Sequence, residues 1–127
     1  MAYLLDTQAL IWYFENDLRL PQRAKSAIED ISNSVYVSYV SLWEIAIKVS
    51  IGKLDISKSH QELVEAIQKQ GFQLLNLSSP AISLLYTLPF HHKDPFDRLI
   101  ISQAFISNCA VISSDGLFED YGVTVLW

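Results

Sequence analysis

Two rhythms of apolar residues alternate along this chain. Short apolar runs, "AYLLD", "SVYVS", "FQLLNL", "AVISS" and "VTVLW", have the length and the β-branched or aromatic content of strands. Between them, apolar residues recur at helical spacing. "TQALIWYFEN" predicts a helix capped by Thr7, and "PQRAKSAIEDI" a second with Pro21 at its first position. "YVSLWEIAIKVSIGKL" predicts a strongly apolar helix that stops near Gly52. "SHQELVEAIQKQG" puts Leu63, Val64 and Ile67 on one face, between Ser59 and Gly71. "SPAISLLYTL" reads as a short helix with Ser79 before Pro80, and "HHKDPFDRLIISQAFISN" as a loop and a helix. "DGLFEDYG" reads as a turn. Strands that alternate with helices, joined by connections too long for hairpins, imply an α/β fold with a mainly parallel sheet flanked by helices.

Composition narrows the class. A chain of 127 residues fits one domain, 1–127, that buries about two thirds of the surface its unfolded chain exposes. Half the residues are apolar and 18% are charged, which excludes disorder. Apolar runs stop well short of a bilayer span and the start "MAYLLDTQAL" has no basic n-region, so a cytoplasmic protein with no membrane partner is expected. The single cysteine, Cys109, has no partner for a disulfide and is expected as a buried hydrophobe. The net charge of -5 argues against a general polyanion binder, unless several acids gather around a cation and leave the remaining surface less negative.

Acids sit where such a gathering would form. In a parallel sheet, strands end and helices begin at the edge where ligands bind. Asp6 closes the first strand, Asp115 follows "VISS", and Asp97 lies in the first turn of the helix that leads into that strand. Glu44 is one turn into its helix, roughly 6 Å along the axis from the helix start, and its longer side chain can reach back. Each acid also has a structural reading. Asp6 fits a helix cap together with Thr7; Asp94, Pro95 and Asp97 fit the cap, first and third positions of a helix; Asp115 before Gly116 fits a turn; Glu44 has Lys48 four residues on. Four independent caps have no reason to meet, whereas carboxylates that do meet need protons or a cation. All-oxygen ligands select Mg²⁺ or Mn²⁺. No Cys/His cluster supports zinc, and His60, His91 and His92 are expected as non-ligands. Mg²⁺ in such a nest points to metal-assisted phosphodiester hydrolysis.

In that order, "LLDTQALIW", "SLWEIAIK", "DPFDRLIISQA" and "VISSDGLFEDYGV" resemble the PIN-domain ribonucleases, and among them the VapC-type toxins of type II toxin–antitoxin systems, over nearly the whole chain. The resemblance implies a PIN-like three-layer sandwich. It also implies a Mg²⁺-dependent endoribonuclease toxin that takes RNA as substrate, is neutralised by a VapB-type antitoxin and pairs as a homodimer. By position it carries the family's four acids onto Asp6, Glu44, Asp97 and Asp115, as metal-holding and catalytic groups. Thr7 and Ser113 match the small hydroxyl residues beside the first and last acids, and Asp94 is left as a supporting cap. Lys48, Arg98, Lys93 and Lys53 are candidates for phosphate contact. Trp12, Trp43, Phe90 and Trp127 are expected in the core, although they would suit an apolar partner. Two alternatives stand beside this reading. One is a non-catalytic interaction module on the same fold; the other is a receiver- or dehalogenase-type phosphoryl-transfer domain, which also places acids at strand ends.

Overall fold

The computed structural model describes residues 1–127. Five strands form one sheet: β1 Ala2–Leu5, β2 Ser34–Ser38, β3 Gln73–Leu75, β4 Ala110–Ile112 and β5 Val125–Leu126. Their order is β3-β2-β1-β4-β5, and every pairing is parallel. The sheet is therefore wholly rather than mainly parallel. A receiver domain would order its strands 2-1-3-4-5. The receiver form of that alternative does not describe this chain.

Helices α1 Thr7–Phe14, α2 Gln22–Glu29, α3 Tyr39–Ser50 and α4 His60–Lys69 precede β3, and α5 Ser79–Leu85 and α6 Pro95–Ser107 precede β4. The two-residue period of β1 sorts the core into two layers. Tyr3 and Leu5 pack with Leu10, Ile28, Leu42, Ile45 and Ile67 from α1 to α4. Leu4, between them, faces Ile100, Ile101 and Ala104 of α6 and Phe118 on the other side. Helices thus cover both faces, giving three layers. No helix is long and apolar enough to cross a membrane.

Several local expectations shift by a residue. Asp6 rather than Thr7 caps α1, accepting from the Ala9 N–H. Pro21 stands at the cap of α2 instead of its first position, and Ser78 instead of Ser79 caps α5. Ser59 and Glu62 form the reciprocal capping box of α4. The segment read as a turn after β4 winds into a short 3-10 helix, Gly116–Tyr121, capped by Asp115. Cys109 is buried and free. Trp43 and Phe90, expected in the core, are exposed at 56% and 81%.

Leu4 is fully buried between layers, whereas Leu18 is 98% exposed. Urea unfolding of Leu4→Ala is expected to show a loss of about 2 to 5 kcal/mol, the usual cost of truncating a core leucine. Leu18→Ala should leave the midpoint nearly unchanged.

Candidate metal and active site

Where β1 and β4 end, the chain leaves the sheet in opposite directions, which opens the crevice typical of a topological switch point. The Asp6 N–H extends the ladder by donating to Ile112 O at 3.1 Å, so Asp6 is held beside the end of β4. A cavity of about 400 Å³ opens there. It is lined by Asp6, Thr7, Glu44, Asp94, Asp97 and Asp115, with Lys48 and Lys53 among the remaining walls. The structure thus brings together acids from four separate parts of the chain.

All of these acids but Asp97 are held by hydrogen-bond donors. Asp6, 5% exposed, accepts from the Ala9 N–H at 2.7 Å, and the Ser113 side chain lowers its carboxyl. Glu44, equally buried, receives the Thr7 hydroxyl at 2.6 Å on one oxygen and Lys48 Nζ at 2.6 Å on the other. Ser41 Oγ supports Thr7 from 3.0 Å. Asp94 caps α6, accepting from the Phe96 and Asp97 N–H groups. Asp115 accepts from the Leu117 N–H, while its own N–H donates to Ser113 Oγ.

Donors do not remove the electrostatic cost. Burial pushes the Asp6 carboxyl from its ordinary value of 3.8 up to about 6, with Asp115 and Glu44 adding repulsion against the lowering effect of its hydrogen bonds. Burial likewise drives Asp97 up to about 7, helped by Asp94, Asp6 and Glu44 and opposed by His92. The Glu44 carboxylate raises the Lys48 ammonium. An all-oxygen donor set whose members resist ionising together fits a hard divalent cation, which would relieve the repulsion.

Two basic residues sit differently from expectation. Arg98 is buried, and its guanidinium donates to Leu88 O at 3.2 Å and Pro89 O at 2.7 Å while lying over the Phe90 ring. It does not line the cavity, so it braces the preceding loop instead of meeting a phosphate. Adjacent helical residues point about 100° apart, and the turn that aims Asp97 inward aims Arg98 away. Lys93 is exposed and also stands outside the cavity wall. His92, for which no partner was apparent in sequence, lies inside the cluster. Its Nε2 is 2.7 Å from Asp115 Oδ2 and 3.1 Å from Asp97 Oδ2. Only the adjacency of "HHK" to "DPFD" hinted at it.

Comparison with known proteins agrees with this architecture. Residues 3–123 match the family model of the PIN domain. No curated protein matches the sequence significantly. Among solved structures, a chain of VapBC2 from Rickettsia felis, bound to a DNA fragment from their promoter, superposes with a TM-score of 0.74 at 16% identity. That match covers 99% of this chain and 98% of the other. DNA-bound VapBC from Salmonella typhimurium gives 0.73 at 17% identity, covering 99% and 97%. VapBC-5 from Mycobacterium tuberculosis gives 0.60 at 18%, covering 98% and 95%.

An acid whose folded pKa lies above its unfolded value supports the fold fully below the unfolded value, near pH 4, and loses that support as pH rises through the folded one. For Asp6 and Asp97 that window runs from about pH 4 to about pH 7. In EDTA, Asp97→Asn is therefore expected to melt several degrees above the parent at pH 8, with the gain shrinking toward pH 5. Thermal melts across that range measure it.

Proposed function

The chain belongs to the PIN-domain family, and on that premise we propose that it is a Mg²⁺-dependent endoribonuclease toxin of the VapC type. The observation that carries the reading is the gathering of Asp6, Glu44, Asp97 and Asp115 around one cavity at the switch point, with two of the carboxyls pushed far above their ordinary range. The proposed unit is a single domain, 1–127, working in the cytoplasm.

In this reading Asp6, Asp97 and Asp115 hold the cation, with Mn²⁺ able to replace Mg²⁺. When bound, the cation supplies charge stabilisation at the scissile phosphate and activates a water for in-line attack. The chain's own groups prepare the ground for it. Thr7 and Lys48 fix the two oxygens of Glu44, so that carboxylate is aimed rather than free to rotate. Ser113 accepts the Asp115 N–H and lowers the Asp6 carboxyl, so it bears on both acids. Lys48 and Lys53 on the cavity wall give the incoming phosphate backbone positive charge in a site otherwise hostile to it. Single-stranded or looped RNA fits the open crevice, because such segments present their backbone without a partner strand.

A VapB-type antitoxin is the proposed partner, with a homodimer as the toxin's own assembly. One of the solved structures described above is of a member of the VapBC family of toxin–antitoxin systems, and this chain has apolar surface for such a partner to cover. An apolar groove of about 200 Å³ runs between α3 and α4, past Leu42, Ile45, Val49, Ile56 and Leu63. Trp43, exposed and edge-on to Phe96, adds a second apolar patch. The gene immediately upstream is expected to encode a small protein that copurifies with this one.

Cleavage of a panel of structured RNAs tests the activity. Antitoxin-free protein should cut with Mg²⁺ and not with EDTA, and Asp6→Asn or Asp97→Asn should abolish cutting in a folded protein. Asp94→Asn should lose much less, because asparagine caps a helix nearly as well. Millimolar Mg²⁺ or Mn²⁺ should also raise the melting temperature of the parent. A folded protein whose melting ignores both ions and that cuts nothing would be a non-catalytic module on the same fold.

A further inference from the structure

His92 stands in the middle of the acids, yet its ring is already committed on its other side. Nδ1 accepts the backbone N–H of Asp94 at 3.1 Å. An imidazole nitrogen that accepts has no hydrogen of its own, so the proton of the neutral ring is on Nε2. That N–H points at Asp115 Oδ2, 2.7 Å away, with Asp97 Oδ2 at 3.1 Å. Ring nitrogen and both carboxylate oxygens lie within 4.8 Å of one another. A metal ligand needs a free lone pair, and on Nε2 a hydrogen occupies it.

The backbone of His92 is braced as firmly as its ring. Its N–H donates to the Tyr121 hydroxyl at 2.8 Å, and the same hydroxyl receives Arg98 Nη1 at 3.3 Å. Arg98 in turn holds the carbonyls of Leu88 and Pro89, while His91 packs edge-on against Tyr121. The loop before α6 is thus tied to α6 itself and to the 3-10 helix that follows Asp115. Every tie fixes where the His92 ring can go.

Resting on the cation site proposed above, we propose that His92 is a positioning residue: its Nε2–H bonds Asp115, its ring stands 3.1 Å from Asp97, and together these set the two carboxylates for the cation, without supplying a nitrogen ligand. Outer partners of this kind govern how well metal-holding carboxylates are aimed. The arrangement keeps the donor set all-oxygen, which favours Mg²⁺ and Mn²⁺ over zinc.

Mn²⁺ binding, read from the free-ion electron paramagnetic resonance signal, tests this without any turnover. His92→Ala is expected to weaken binding about 10-fold to 100-fold, the usual cost of losing such a partner. His92→Gln, whose amide N–H reaches to where Nε2 sits, should restore most of it. The pulsed spectrum of the parent with Mn²⁺ should show no directly bonded nitrogen. Equal or tighter binding by His92→Ala would overturn the proposal, because His92 would then be an obstacle to the cation. A directly bonded nitrogen in the parent would overturn it as well, and that spectrum decides the matter even if His92→Ala does not fold. Asp97→Asn separates the two levels of inference. If the parent binds Mn²⁺ and Asp97→Asn does not, an unaffected His92→Ala defeats only the role of His92. If the parent itself binds none, the cation site falls and the role of His92 with it.

Discussion

Repulsion between carboxylates held close together and away from water is the constraint on which this structure turns. Left alone, Asp6, Glu44, Asp97 and Asp115 would move apart or take up protons. The fold prevents the first by placing each on a different, independently packed element, so that separation would mean breaking the sheet or one of two core layers. It moderates the second by giving the acids donors: a helix N-terminus, a hydroxyl, a lysine and a histidine. Burial first, and the remaining repulsion second, leave the Asp6 and Asp97 carboxyls raised.

In the sequence, capping and convergence are competing accounts of these acids. Here they are one device. Asp6, Asp94 and Asp115 each accept backbone N–H groups at the start of a helix, and those starts lie at the same edge because every strand of the sheet runs the same way. A cap fixes a carboxylate's rotamer, and the helix start gives it a partial positive charge to face. A parallel sheet with capped helices therefore collects oriented carboxylates at little extra cost. Binding chemistry can then use them.

Much of this was legible in the residues. Strand ends and helix starts follow from the change of apolar rhythm, which is why the meeting of the four acids could be anticipated along with the three-layer plan. Glu44 was legible through its surroundings, since an acid amid Leu42, Trp43, Ile45 and Ile47 needs a reason to be there. His92 was not, because its partners depend on a loop whose path is set by Arg98 and Tyr121, and no periodicity describes a loop. Arg98 misled for a simple reason. Neighbours in sequence are not neighbours on a helix face, and a charge beside an acid in the chain can belong to a different wall of the molecule.

The strand order has one more consequence, for the moment of synthesis. β1 lies at the centre of the sheet, and one of its two neighbours, β4, joins it through Tyr3 and Ala110. Asp6 is made early and must wait for Ile112 before its backbone is paired. A growing chain can pair β1 with β2 and bury much of one layer, but it has no assembled acidic cluster until β4 has left the ribosome. Translation therefore times the gathering of the acids: their cluster is among the last things to form.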